Sequence, residues 1–366
     1  MKNHSTSRRK PSGGLSLTAP QVIAALLAFF LAASCSPPPP KTRVVATAEG
    51  VIYIVGFPKG DVLHEIKVPG GDDPPPLAKD IKPLPEPHSF AVATNRGLLV
   101  INAEDGSVER TLTSLNIDEV EVSEDGNRFY LLVHPTLYHD EITEDPHYLQ
   151  EVDATTGDLL RRWNLDGNTK DILLLPSSSV VVATRLAGRS LCIVDLSRES
   201  DVKRLKLPPN SNAKTLNNFS QVQHVVASAD EHFLYLIEQG RSEDHALWRL
   251  NWKSGSARQL PLLAREDPYV GMIRDGDSLL LNGGLELFRI HPGDPTRNQT
   301  ASLRLPHRAL GHRVQSTRVA ERLIYMGGIS ATGSRGVISQ VGGPNFEVVG
   351  RTPMPQRITE ILVLHN

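Results

Sequence analysis

Residues Asn116 to Leu165 carry the clearest structural pattern in the chain: NIDEVEVSEDGNRFYLLVHPTLYHDEITEDPHYLQEVDATTGDLLRRWNL. Two short runs rich in apolar residues, Ile117–Val122 and Arg128–Val133, flank a turn that contains Asp-Gly, and this predicts a tight hairpin. After a polar loop, Tyr148–Val152 and Leu159–Trp163 flank a second turn, which ends in Thr-Thr-Gly. The stretch therefore predicts four antiparallel strands within about 50 residues.

Four antiparallel strands of this size form one blade of a β-propeller. Similar strand–turn–strand units recur along the chain at intervals of roughly 47 residues, which is the spacing of propeller blades. The interpretation is an all-β protein, a seven-bladed β-propeller of four-stranded antiparallel blades. Apart from the quoted stretch, the units are centred on Val51–Val55, Leu98–Ile101, Leu191–Asp195, Leu247–Asn251, Leu285–Arg289 and Val337–Val341.

The two ends of the propeller predict how its ring closes. Arg43–Thr47 aligns with the second strand of the other units, so the first blade lacks an inner strand. The last apolar run, Ile358–Leu364, has no blade of its own. Pairing these two segments would complete the first blade and remove both free sheet edges. We therefore expect the propeller to span residues 43–366, with the C-terminal strand joining the N-terminal blade.

The residues before the propeller predict export. Basic residues precede the unbroken apolar run Val22–Ala33, which is typical of a signal peptide over residues 1–35. The run ends at Leu31-Ala-Ala-Ser-Cys35, which resembles the lipobox of bacterial lipoproteins. The motif departs from that pattern at Ala32, where the family prefers Leu. The resemblance implies lipidation of Cys35, and ordinary cleavage after the apolar run or an uncleaved anchor are the alternatives.

A proline-rich segment over residues 36–42 follows the lipobox-like motif. Consecutive prolines hold an extended conformation of about 3.1 Å per residue, so this segment is predicted to be a short stiff stalk. An anchored stalk predicts a protein on the periplasmic face of the outer membrane or on the cell surface. Without the lipid, the protein would be periplasmic or secreted.

Composition and charge narrow the classes of partner. The 366 residues are 39% hydrophobic and carry a net charge of −2, which gives no electrostatic pointer to nucleic acid. No nucleophile elbow, phosphate-binding loop, haem-attachment motif or dinucleotide fingerprint occurs in the sequence. We therefore expect no nucleic-acid partner and no cofactor, with a metal ion as the alternative. We also expect the folded body to be monomeric.

The quoted stretch also resembles a known repeat family. Val122–Val133 and Glu151–Leu159 are similar to the YVTN-type repeat of bacterial propellers. Those propellers share their fold with quinoprotein amine dehydrogenase and with lactonase-type propellers. The resemblance covers one blade well and others partly, at Leu99–Val108 and Ala227–Leu236. It implies a fold and not an activity.

Polar connections between strands hold the candidate binding residues. The densest is the insertion from His134 to His147, with three imidazoles and four carboxylates. Imidazole and carboxylate groups bind Zn²⁺ or Ca²⁺, so a metal set of His134, His139, Asp140 and His147 is one interpretation. A structural loop and a partner-binding loop are the others, since the spacing fits no named metal motif.

Arginines recur on the face of the propeller to which the long connections are assigned. A guanidinium group suits carboxylate or phosphate groups because its donors form a fixed fork. These residues predict a funnel for an anionic ligand, with ordinary solvated charge as the alternative. The set is Arg185, Arg189, Arg241, Arg265, Arg313 and Arg335.

Two functional hypotheses follow from this pattern. The first is a lipid-anchored propeller without catalytic activity, a scaffold that binds a protein or glycan partner through its loop-rich face. The second is a hydrolase or an oxidoreductase that depends on a metal or a cofactor, with its site at the mouth of the central channel. Whether the chain is an enzyme is left open by the sequence, which favours the scaffold.

Overall fold

Antiparallel strands make up nearly all of the regular structure in the computed structural model. The model describes residues 42–70, 76–113, 115–134, 147–165, 169–185, 189–198, 201–209, 221–239, 245–262, 269, 271–283, 286–302, 314–316, 324–329, 335–342 and 347–364. All of them belong to one unit of the chain, Lys41–Asn366. The predicted signal peptide and Cys35 lie outside these ranges, and the predicted stalk does too except for Thr42. No helical segment within them has the length and hydropathy of a membrane span.

The first half of the unit contains fifteen strands and one short 3-10 helix, Pro176–Ser178. The strands are β1 (Thr42–Ala48), β2 (Val51–Phe57), β3 (Asp61–Lys67), β4 (Ala78–Pro83), β5 (Ser89–Thr94), β6 (Gly97–Asn102), β7 (Val108–Leu112), β8 (Asn116–Val122), β9 (Arg128–His134), β10 (Tyr148–Asp153), β11 (Leu159–Asn164), β12 (Thr169–Leu175), β13 (Val180–Arg185), β14 (Ser190–Asp195) and β15 (Val202–Lys206).

The second half continues the same succession, with one further 3-10 helix at Pro295–Arg297. Its strands are β16 (Gln221–Ala227), β17 (Phe233–Gln239), β18 (Ala246–Asn251), β19 (Ala257–Leu260), β20 (Gly271–Asp275), β21 (Ser278–Asn282), β22 (Glu286–Ile290), β23 (Gln299–Ser302), β24 (Val314–Ser316), β25 (Ile324–Ile329), β26 (Gly336–Gly342), β27 (Glu347–Met354) and β28 (Glu360–Leu364).

The strands pair into four-stranded antiparallel sheets, each of which is one blade. Six sheets consist of four consecutive strands, β4–β7, β8–β11, β12–β15, β16–β19, β20–β23 and β24–β27. A further sheet has the order β28-β1-β2-β3. The first strand of each sheet is the inner strand, and each inner strand contacts the inner strand of the next sheet around a closed ring. The all-β propeller expected from the sequence is therefore observed.

The sheet β8–β11 matches the strands expected from the quoted stretch. Its first turn places Gly126 at a φ of 71°, a backbone conformation that a residue with a Cβ rarely adopts. Asp125 stabilises the same turn, because its carboxylate accepts hydrogen bonds from the Ser123 hydroxyl (2.6 Å) and from the backbone N–H of Asn127 (3.1 Å). The predicted hairpin is confirmed, and the Asp-Gly pair provides its physical cause.

The ring closes through the two ends of the propeller. β28 pairs antiparallel with β1, in a register that runs from Arg43 opposite Leu364 to Thr47 opposite Glu360. The Thr47 carbonyl also accepts a hydrogen bond from the Thr359 amide at 2.8 Å. The predicted closure by the C-terminal strand is confirmed, and β28 is the inner strand that the first blade lacks in sequence.

The hydrophobic core lies between neighbouring blades. One cluster joins the first two sheets and contains Ile54, Phe90 and Ile101, all fully buried. Another joins the sheets β12–β15 and β16–β19 and contains the buried Trp248. Burial of one such side chain contributes about 1.5–3 kcal/mol, so packing between faces holds the blades in the ring.

Candidate functional site

Connections between strands leave the ring at two faces. The loop face carries the connections from the second to the third strand of a blade and from one blade to the next, and the turn face carries the others. The strand bounds confirm the predicted sorting for the longest connections, because no connection at the turn face exceeds eight residues. The five longest connections all leave at the loop face: 68–77, 135–147, 207–220, 261–270 and 303–313.

Four of the inner strands share an irregularity at the end where they begin, on the loop face. We call this end of the channel the channel mouth. In β4, β8, β12 and β16, the pairing with the second strand skips one residue near the start of the inner strand. Such a β-bulge bends the strand and changes the direction of nearby side chains. The skipped positions are Lys79, Asp118, Lys170 and Gln223.

Two of these bulge positions form an ion pair across adjacent blades. Lys79 Nζ lies 2.6 Å from Asp118 Oδ1 and 2.6 Å from Asn116 Oδ1. Both charged side chains remain partly exposed, at 13% and 21%. The pair therefore joins β4 to β8 and still presents charged groups to the channel mouth.

A second charged layer lies further along the same strands. Lys82 Nζ is 3.0 Å from Glu121 Oε1 and 3.7 Å from Asp80 Oδ2. Asp80 is buried, and its Oδ2 accepts a hydrogen bond from the Val120 amide at 3.1 Å. The carboxylate of one inner strand thus binds the backbone of the next.

Glu121 is the most perturbed acid of this layer. Burial raises the pKa of its carboxyl group to about 7, and the charges of Asp80 and Asp171 act in the same direction. The ammonium group of Lys82 lowers the pKa and offsets only part of this effect. Glu121 can therefore hold or release a proton close to neutral pH.

His147 is buried beside this mouth, just before β10. Its Nδ1 lies 2.8 Å from the Thr169 carbonyl oxygen and 3.1 Å from the Thr169 amide nitrogen, so either tautomer of the ring finds a partner there. Its Nε2 is buried and has no hydrogen-bond partner among the residues that the structure describes. Burial, His134 and Lys79 lower the pKa of His147, while Asp118 acts in the opposite direction. The ring is therefore neutral at neutral pH.

The structure brings together two of the four predicted metal ligands. The rings of His134 and His147 lie with their centroids 4.6 Å apart, nearly edge to face. The other two, His139 and Asp140, lie outside the described residues. Within the described ranges, no group of three or more His, Cys, Asp or Glu residues has the arrangement of a metal site. The metal set stays a prediction.

Arg189, one of the predicted ligand-binding arginines, is engaged in the fold. Its guanidinium donates from Nη2 to Glu238 Oε2 at 2.9 Å and from Nε to the other oxygen of that carboxylate. Glu238 is buried and also accepts a hydrogen bond from Trp248 Nε1 at 2.8 Å. The contact joins the sheet β12–β15 to the sheet β16–β19.

The other predicted arginines are less completely described. Arg185 ends β13, and its side chain lies outside the described part of the chain. Arg335 is exposed just before β26. Three more lie on connections outside the described residues: Arg241, Arg265 and Arg313. An anionic-ligand funnel at the loop face stays a prediction.

The charged residues of the channel mouth were missed in the sequence. β4, with the sequence Ala-Lys-Asp-Ile-Lys-Pro, does not look like a buried strand because half of its residues are charged. The acids of β8 look like the solvent side of an amphipathic strand. The available signal was position, because the first strand of a blade is packed between neighbouring blades, where a charged side chain needs a partner.

No family model matches the sequence, and no curated protein matches it. Solved structures do resemble it. Hydrazine synthase of Kuenenia stuttgartiensis superposes with a TM-score of 0.62 at 11% identity, covering 81% of this chain and 90% of the other.

Two further structures show a similar likeness. A hypothetical selenium-binding protein from Sulfolobus tokodaii gives a TM-score of 0.64 at 12% identity, covering 90% of this chain and 95% of the other. Dihydro-heme d1 dehydrogenase NirN in complex with DHE gives a TM-score of 0.56 at 14% identity, covering 88% and 74%. At such identities the likeness shows the fold alone, which is that of a β-propeller.

Proposed function

We propose that this protein is an exported, lipid-anchored, seven-bladed β-propeller that binds a protein or glycan partner through its loop face. The single observation that carries the proposal is the concentration of all five longest connections at that face. Binding residues are found disproportionately on loops that a rigid scaffold positions. A ring of blades supplies such a scaffold, and the connections at its opposite face have at most eight residues.

The blade number rests on the pairing of the strands. Twenty-eight strands divide into the sheets named above, seven in the described part of the chain, and the inner strands contact one another in a closed circle. The YVTN-type resemblance of β8–β11 supports the propeller fold and gives no blade number.

The anchor rests on the sequence. The apolar run and the motif that ends at Cys35 support lipidation, and the proline-rich residues 36–42 support a spacer between the lipid and the ring. A short spacer at the N-terminus would keep the propeller close to a membrane surface. We place it on the periplasmic face of the outer membrane or on the cell surface.

The channel mouth suits a polar partner. Lys79 and Asp118 are held by their mutual ion pair and are still partly exposed. Charged groups fixed on rigid strands lose little conformational entropy when they form hydrogen bonds with a partner. Together with the loops around them, they would form the polar centre of a recognition surface.

A second candidate function is a metal-dependent enzyme with its site at the same mouth. The observation that favours it is the adjacent pair His134 and His147, with the buried Nε2 of His147 available. A metal would be held by these two together with His139 and Asp140, and would supply Lewis-acid chemistry.

Binding to a glycan array and to purified proteins of the same cell envelope tests the scaffold proposal. Full-length protein is compared with two variants, one in which Asp140, Glu141, Glu144 and Asp145 are changed to Ser, and one in which the turn-face residues Asp105 and Asp195 are changed to Ser. We expect the loop-face variant to lose at least about tenfold in affinity for one ligand, and the turn-face variant to keep it. Equal affinity in all three proteins would contradict a loop-face site.

Elemental analysis of the same preparations separates the two candidates. One equivalent of metal that is lost in the double variant His134→Ala, His147→Ala would favour the enzyme. For the anchor, Cys35→Ser should move the protein from the membrane fraction to the soluble fraction. A variant that stays in the membrane fraction would contradict lipidation at that residue.

A further inference from the structure

A pocket on the turn face lies between the sheets β16–β19 and β20–β23. It has a volume of about 190 Å³ and is lined by Tyr235 and Arg249 from the first sheet and by Arg274 and Asp277 from the second. Ser228 and Gly293 are among the other residues that line it. The pocket is on the opposite side of the ring from the proposed loop-face site, so its argument is independent of that function.

Two arginines stand directly opposite each other beside this pocket. The strand register pairs Tyr235 with Arg249, and Arg249 with Arg258 on the next strand. Side chains opposite each other in a sheet are close neighbours, and like charges in that position repel. Arg249 is fixed in place, because its guanidinium carbon lies 3.6 Å from the centre of the Phe233 ring.

These charges are not neutralised within the described part of the chain. Arg249 Nε is buried there with no hydrogen-bond partner, and neither Arg249 nor Arg258 forms an ion pair with a described carboxylate. Arg274 makes one long hydrogen bond, 3.5 Å, to the Ala227 carbonyl. Elsewhere in the ring, partly buried arginines such as Arg189 do bind a carboxylate.

The acids near the pocket leave room for an anion. Asp275 is held by Arg289 at 2.9 Å, and Asp230 accepts hydrogen bonds from Ser228 and His232. Asp277, exposed at the rim, is the one carboxylate that lines the pocket. Burial raises the pKa of Tyr235, so its hydroxyl stays protonated and can donate a hydrogen bond.

We propose that this pocket binds a small oxyanion, the carboxylate or phosphate group of a small molecule. Arg249 would receive the anion with its planar fork, Arg274 would close on it from the neighbouring blade, and the Tyr235 hydroxyl would donate to a third oxygen. The negative charge of the ligand would also offset part of the repulsion between Arg249 and Arg258. The volume is suited to a small molecule and not to a macromolecule.

Isothermal titration calorimetry with full-length protein tests this site, with inorganic phosphate and citrate as probes in a buffer free of other multivalent anions. We expect saturable binding of at least one probe at concentrations below about 10 mM. Arg249→Met keeps the contact with Phe233 and removes the charge, and should weaken binding at least about tenfold. Asp277→Asn removes the opposing charge at an exposed position and should strengthen it.

Arg162 provides a matched control, because it lies on the Tyr148 ring at 3.7 Å in a different blade, well away from the pocket. Arg162→Met should leave the affinity unchanged. Binding of phosphate but not citrate would assign the site to phosphate groups, and the reverse would assign it to carboxylates. Absence of binding to the wild-type protein, or tighter binding in Arg249→Met than in the wild type, would overturn the proposal. If Arg249→Met fails to fold, an unchanged affinity in Asp277→Asn would overturn it.

Discussion

Two carboxylates of the same sheet, Glu151 in β10 and Glu121 in β8, lie in opposite kinds of surroundings. Glu151 is fully buried in the third strand and faces two guanidinium groups, with Arg128 Nη1 at 2.9 Å and Arg161 Nε at 2.5 Å. Glu121 is on the inner strand and has a single ammonium group, that of Lys82, beside other carboxylates. Glu151 therefore has more positive than negative charge beside it, and Glu121 does not.

The difference indicates different roles for the two layers of a blade. Arg161 also donates to the Leu196 carbonyl of the next blade, so the Glu151 cluster links neighbouring sheets. Such a cluster stabilises one arrangement of the ring. Glu121 instead keeps a carboxyl group that changes its charge near neutral pH, which is a property of functional sites more often than of structural ones. Four experiments can test this contrast, starting with the largest expected effect.

Glu151→Gln should destabilise the protein most. The change leaves Arg128 and Arg161 beside a neutral amide, and removal of one partner from a buried ion-pair cluster costs roughly 2–4 kcal/mol after allowance for the exposure of Arg128. Urea unfolding at pH 7 measures the loss. Asp158→Asn, an exposed acid of the same sheet, is the control and should leave the unfolding midpoint almost unchanged. A loss of unfolding free energy no larger than that of the control would show that the Glu151 cluster does not stabilise the fold.

Glu121→Gln should change how stability depends on pH. The folded pKa is about 7 and the ordinary value is 4.5, so the folded state keeps a proton that the unfolded state has lost between these pH values. The free energy of unfolding of the wild type therefore falls as pH rises from about 4.5 to about 7, by on the order of 3 kcal/mol, and is flat above. The variant should lack this fall. Urea unfolding at pH 5 and pH 8 measures it, and parallel curves for the two proteins would contradict the raised pKa.

Lys82→Met should raise the pKa of Glu121 above its wild-type value of about 7. The ammonium group is the main group that favours the ionised carboxylate, and its removal leaves Asp80 and Asp171 opposing ionisation. Carboxyl ¹³C NMR of protein labelled at glutamate follows the titration, with Glu121→Gln identifying the signal. A pKa that falls in Lys82→Met would show that the carboxyl group is controlled by other charges.

Asp125→Asn should have the smallest effect. Hydrogen bonds from Ser123 and Asn127 lower the pKa of Asp125 to about 2 from 3.8, so its contribution to stability is present above about pH 4 and is lost as pH falls towards 2. The side chain is fully exposed in its turn. We expect a fall in Tm of less than about 3 °C at pH 7 and none at pH 2, measured by circular dichroism. An equal fall in Tm at both pH values would mean that asparagine destabilises the turn for steric reasons and not through the loss of charge.

The sequence predicted those parts of the fold that local chemistry determines. The hairpin at Asp125-Gly126 was predictable because only a few residue types adopt its backbone angles. The ring closure was predictable because the N-terminal blade lacked one strand and the C-terminal strand lacked a blade. β4 was missed because its charged residues find their closest partners in the next blade. Local patterns carry no information about a partner that lies about forty residues away.

The site was predicted less well for the same reason. His134 and His147 could be grouped because one insertion joins them, but no pattern shows that Arg189 faces Glu238, since the two residues lie on different blades. The pocket beside Arg249 was also outside the reach of sequence reasoning. It depends on a register that places Arg249 opposite Arg258, and register is set by turns and by packing.

The pairing of β28 with β1 has a mechanical consequence. β1 lies between β28 and β2 and is bonded to both along its length. A force applied through the residues before Thr42 would pull β1 along its own axis, so the hydrogen bonds of two ladders would have to break together and not one after another. A tether attached at this end of the propeller would therefore load the ring in shear, the direction in which a β-sheet resists most.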